Sequence, residues 1–160
     1  MIIRLTKKLA GKLHEDVEVS LPLNPAPLLD WSAALFLAGR AQYILLMNTQ
    51  SLYSVVMRGA GISDARTFRD QALANIRDTM LEDGFFLFHA RIAPHADDVA
   101  FSKTISRSAT GSLNELVYQA WAYLSTSPLS LRDTACRLNE MPMSAIGYRH
   151  PLEEFKKLAL

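Results

Sequence analysis

The chain has 160 residues, about half of them hydrophobic, and a formal net charge of +1. That length and composition suit one packed domain over residues 1–160 and exclude a disordered tail, and near-neutrality gives no global drive toward nucleic acid or a membrane surface. The lone Cys136 excludes an internal disulfide, and neither an apolar leader nor a run longer than Ala33 to Ala38 suggests export or a membrane span, so a cytoplasmic protein is expected.

Met1 to Leu5 is short and β-branched and suits a first strand. Thr6 is placed to cap a short helix from Lys7 to Leu13, after which Pro22, Pro25 and Pro27 mark residues 14–29 as a connector. Strand-like runs follow at Asp30–Leu37, Gln42–Asn48 and Leu52–Arg58, broken by Gly39-Arg40 and by the turn Asn48 to Ser51. Short breaks of this kind predict an antiparallel meander. Ala65, Phe68, Ala72, Ile76 and Met80 step by three or four, with Ser63 or Asp64 as cap and Gly84 as terminator. Phe85 to Phe88 reads equally as a helix-end contact or as a strand. Val99 to Ile105 alternates like a strand and leads into a second amphipathic helix carrying Leu113, Leu116, Ala120, Trp121 and Leu124.

Residues 124–160 read as a helical extension on the same core. Ser130 to Asp133 forms a capping box for a helix to about Leu138, an irregular stretch covers Met141 to Tyr148, and a last helix opens at Pro151. The expected fold is therefore α+β: an antiparallel sheet of about four or five strands, packed on one side by two long helices, with shorter helices around it.

The segment Lys103-Thr-Ile-Ser-Arg-Ser-Ala-Thr-Gly-Ser-Leu-Asn-Glu115 carries most of the chemistry. It reads as a strand-to-helix loop, with Ser112 as N-cap, Glu115 closing a capping box and Gly111 supplying the turn. Unpaired amides at a helix start favour an anion, and Lys103, Arg107, Ser108, Ser112 and Asn114 could add charge-assisted bonds. Arg4, Lys7, Lys8 and Lys12 occur without an intervening acid, so a first helix lying against this loop would build a cationic patch. A capped helix start and a solvated helix face are the plainer readings of the same residues.

Three stretches resemble a bacterial family of unknown function, DUF6933: Ile2-Ile-Arg-Leu-Thr-Lys-Lys-Leu9, Asp30-Trp31 through Tyr43–Asn48 to Ser51-Leu-Tyr-Ser54, and Lys103 to Asn114. They occur in the family's order across most of residues 1–124, with Ser106 standing where the family pattern has asparagine. The resemblance implies a shared fold and a bacterial or phage setting but no activity. It marks Arg4, Lys7, Trp31, Asn48, Lys103, Arg107, Gly111 and Asn114 as signature positions, a converging site or a set of caps and core anchors. The tail from Leu138 to Phe155 also resembles that of some insertion-sequence transposases, but no carboxylate triad stands upstream to bind their metal ions.

No pattern implies a metal or an organic cofactor. His14, His89, His95 and His150 are scattered, and neither a Gly-x-Ser-x-Gly elbow nor a phosphate loop occurs. Three function classes remain. The first is a binding or regulatory module contacting a protein or a phosphate-containing ligand. The second is a small enzyme on a phosphorylated or nucleotide substrate, with His89 or Asp98 as base. The third is an assembly subunit. Nucleic acid is a possible partner that the net charge does not support.

Overall fold

A computed structural model describes residues 1–126 and 128–160. Among these, five strands form one sheet: β1 (Ile2–Leu5), β2 (Asp30–Ala38), β3 (Ala41–Asn48), β4 (Ser54–Arg58) and β5 (Ala100–Ser102). The α-helices are α1 (Lys7–Lys12), α2 (Ala65–Glu82), α3 (Phe88–Arg91), α4 (Arg107–Ser125), α5 (Leu131–Asn139) and α6 (Pro151–Ala159).

The strand order is β4-β3-β2-β1-β5. The meander β2-β3-β4 is antiparallel as expected, with Trp31 opposite Asn48 and Ile44 opposite Met57. The sheet as a whole is mixed, which corrects the antiparallel expectation: β1 runs parallel to both β2 and β5. A parallel neighbour needs a crossover, supplied on one side by α1 with the proline-rich connector and on the other by the run from α2 to β5.

Helices cover both faces of the sheet, rather than one. Ile3, Trp31, Ile44 and Val55 face Phe68 and Ile76 of α2 and Phe155 of α6. On the opposite face Phe36, Leu45 and Val56 meet Leu113 and Leu116 of α4 and Leu138 of α5. β2 is accordingly buried along almost its whole length, the pattern of a strand with both faces packed.

Local caps explain the helix limits. Asp64 accepts the Thr67 amide at 2.8 Å to open α2, and Gly84, at φ +84°, lets the chain turn so that the Phe85 amide reaches the Met80 carbonyl at 2.8 Å. Ser130 accepts the Asp133 amide at 3.0 Å to open α5. Of the two readings of Phe85 to Phe88, the helix-end contact is the one met: Phe85 closes α2 and packs on the cluster that holds Met80, no strand forms, and the chain turns into α3 at Phe88. The start of α4 differs from the sequence reading by six residues: Ser106, not Ser112, is the N-cap and accepts the Ala109 amide at 3.1 Å. Gly111 is therefore an interior helical residue, Ser112 is buried in the helix, and Glu115 is exposed.

Candidate functional site

The candidate residues fall into three groups. Arg4, Trp31 and Asn48, together with Ser112, belong to the interior. The alternation of β1 turns Ile3 and Leu5 toward α2 and Arg4 toward the opposite face, over which the connector passes. The guanidinium there donates to both Asp30 carboxylate oxygens, at 2.9 and 2.8 Å, and to the carbonyls of Leu21 and Pro22, at 2.7 and 3.0 Å. The Leu21 amide binds the Ser102 hydroxyl at 2.8 Å and the Lys103 amide binds the Val19 carbonyl at 3.0 Å. Arg4 thus ties the connector to the β1/β5 edge with its donors used up, leaving none for a ligand.

Trp31 is fully buried, with its indole N–H donated to the Leu28 carbonyl at 2.8 Å and its ring edge-on to Tyr53 and Phe155. Asn48 is equally sealed. Its amide donates to the carbonyls of Pro27 and Asp30, and its oxygen accepts the Ser51 amide and hydroxyl. Those bonds clamp the turn between β3 and β4, where Leu52 sits at φ +65°, a conformation unusual for a bulky side chain and held by its surroundings.

Lys7 and Lys103 form the second group. They line one cleft of about 630 Å³ between α1, residues 15–20 of the connector and the loop after β5. Thr6, Ser20 and Thr104 contribute polar groups, and Glu15, Asp16 and Glu18 bring carboxylates to the same walls. Both lysines are exposed, and among the described residues neither forms an ion pair. The Thr6 Oγ1 is shielded from solvent and has no hydrogen-bond partner among those residues. Arg107, His89 and Asp98 do not line this cleft. Lys8 stays exposed, and Lys12 is engaged by Gln42.

The third group, Arg107, Ser108, Gly111 and Asn114, lies exposed on α4. The candidate residues therefore do not converge on one site: Arg4, Trp31 and Asn48 serve as interior anchors, and of the whole set only Lys7 and Lys103 line the cleft. Among the described residues no three His, Cys, Asp or Glu side chains are grouped to hold a metal ion, and no helix is long and apolar enough to cross a membrane.

Two polar arrangements anchored in the core escaped the sequence reading. Asn139, at the end of α5, donates to the Ser54 carbonyl at 2.9 Å and accepts its amide at 2.7 Å, imitating a neighbouring strand at the sheet edge. Tyr53 donates its hydroxyl to Asp83, which also takes Arg132, while Arg132 reaches Glu82 at 2.9 Å. Burial and the bond to Asp83 hold the Tyr53 phenol far above its usual range. Asn139 at the end of the Cys136 helix and Arg132 in the capping box were the available signals, but their partners are distant in sequence.

Fold and cleft together define an α+β protein with a helix-covered mixed sheet and a mixed-charge groove at one edge. A family model, a domain of unknown function termed DUF6933, matches residues 2–154, and the chain belongs to that family. The match takes in the three stretches that carry the resemblance and all but the last residue of the tail that resembles transposases. No curated protein and no solved structure matches the chain.

Proposed function

We propose that the chain is a binding module whose ligand presents an anionic group to Lys7 and Lys103. The observation that carries this reading is that α1 and the loop after β5, remote in sequence, bring two exposed lysines, neither of them ion-paired among the described residues, to the walls of one cleft. Such donors bind phosphate or carboxylate as point charges. Glu15, Asp16 and Glu18 in the same cleft select for hydrogen-bond donors or a cation beside the anion and repel a uniformly charged backbone. A nucleotide or an acidic-ended peptide fits this description better than a nucleic-acid strand does.

The test is a thermal-shift and calorimetry panel of inorganic phosphate, nucleotides, amino acids and short peptides. At ~100 times its dissociation constant a ligand should stabilise the fold by about 2.7 kcal/mol. Lys7→Ala and Lys103→Ala should each remove the shift, and Arg107→Ala should keep it. Loss in Arg107→Ala alone would place the anion at the start of α4 and overturn the cleft reading, as would silence across the panel.

The carboxylates favour a second reading, an enzyme on a phosphorylated or nucleotide substrate, because a carboxylate near a held anion can act as general base. Consumption of a bound nucleotide, followed by mass spectrometry and lost in Glu15→Gln, Asp16→Asn or Glu18→Gln, would establish it.

A further inference from the structure

The outer face of α4 carries a continuous stripe that the cleft does not use. Arg107, Gly111, Asn114, Tyr118, Trp121 and Ser125 are all exposed. At 3.6 residues per turn they fall within an arc of roughly 80°. Tyr118 and Trp121 are 63% and 41% exposed, and their rings lie 5.9 Å apart. Two large aromatics side by side in water are unusual on a surface without a partner. Gly111 adds an independent sign: a Cβ there would meet nothing within 4 Å, so no contact within the chain requires glycine. A glycine inside a helix nevertheless destabilises it by about 1 kcal/mol relative to alanine.

The stripe is complementary to itself. Its spacing of four, three, four, three and four residues is that of a two-helix seam. Two copies of α4 laid antiparallel about Leu116, the midpoint of the helix, put Gly111 of each opposite Trp121 of the other. The same register sets Asn114 against Tyr118 of the second copy, so each large ring meets a small or polar position. It also places Arg107 beside Ser125 of the second copy, at the carbonyl end of that helix, where a cation is favoured. Small meets large and positive meets negative twice over, along a helix about 28 Å long.

We propose that this face binds a second copy of the chain, through an antiparallel α4 pair in which Gly111 receives Trp121. A single helix pair covers less than the roughly 800 Å² per partner of a standard interface, so the dimer is weak and concentration dependent.

Sedimentation velocity of the full chain over about 5 to 500 µM brackets a weak dimer and should show monomer passing to dimer. Tryptophan emission should shift to the blue over the same range, because Trp31 is already sealed and Trp121 alone changes its exposure. Gly111→Gln and Trp121→Ala should each weaken association roughly thirtyfold or more. Gly111→Gln should leave the melting temperature unchanged or higher, which separates loss of docking from loss of folding. A chain that sediments as monomer throughout overturns the proposal, whatever else α4 binds. A dimer indifferent to both substitutions overturns it too, and one lost with Trp121 but kept in Gly111→Gln overturns the register.

Discussion

The guanidinium of Arg4 comes within 3.5 Å of the carbonyl of Lys103, so two cations from one expected site are neighbours in space. Arg4 has no solvent exposure and spends its donors on Asp30, Leu21, Pro22 and Ser102, whereas the Lys103 side chain is exposed and pairs with none of the described residues. The difference lies in what each charge must find once water is removed. A buried guanidinium survives only if its hydrogens are met by fixed acceptors, and the connector's carbonyls and Asp30 meet them. Lys103 keeps its hydration, can be recruited at little loss, and is the better candidate to greet a ligand. Polar residue type alone does not distinguish an anchor from a binding group; the supply of acceptors does.

The comparison breaks most directly at Arg4. Arg4→Ala leaves Asp30 buried without its partner and should destabilise the fold by about 3–5 kcal/mol in urea denaturation, while Lys103→Ala should stay within about 0.5 kcal/mol of wild type. Equal effects from the two would erase the distinction. Replacing Arg4 and Asp30 together with apolar residues should recover much of the loss, since two absent charges are cheaper to bury than one unpaired charge. Asn139→Ala sharpens the same contrast with neutral groups. It strips the Ser54 amide and carbonyl of their partners at a buried edge and should lower stability by about 1–3 kcal/mol. A negligible loss would mean that water reaches that edge.

The sequence made some of this visible. The β2-β3-β4 meander was readable from short breaks between β-branched runs, and α2 from its three-and-four spacing with Gly84 at the end. The parallel insertion of β1 was not, because a parallel neighbour is fixed by a crossover and packing on both faces, neither of which leaves a local pattern. The start of α4 was hidden by Gly111 and Ser112, whose low helix preference mimics a loop; the packing of Leu113 and Leu116 on β2 and β3 overrides it. For the site, the prospect that the first helix abuts the 103 loop was enough to bring Lys7 and Lys103 together. Arg4, Trp31 and Asn48 read equally as site groups or as core anchors, and their burial makes them anchors. The sequence does place Arg4 in alternation with Ile3 and Leu5, but that the connector covers the second face of β1, leaving no solvent side for a charge, is visible only in the fold.

The smallest expected effect concerns Tyr53, which stands between the two extremes. Its ring is stacked on Phe155 at 4.2 Å and fully buried, while Asp83 and Arg132, which share its hydroxyl's network, reach toward the surface. Tyr53→Phe removes one donor from Asp83 but leaves Arg132, so at neutral pH the loss should be about 1 kcal/mol. The pH dependence is more telling. Burial first, and the bond to Asp83 second, raise the folded phenol's pKa, so the folded chain holds this proton where the unfolded chain releases it. The associated stability is complete below the unfolded value near 10 and is lost as pH rises above it, at about 1.4 kcal/mol per pH unit from this one group. Between about pH 10 and 11.5 the wild type should therefore lose stability more steeply than Tyr53→Phe, by the equivalent of one proton. Parallel slopes in the two proteins would show that the phenol ionises freely in the fold, and that this network behaves like Lys103 rather than like Arg4.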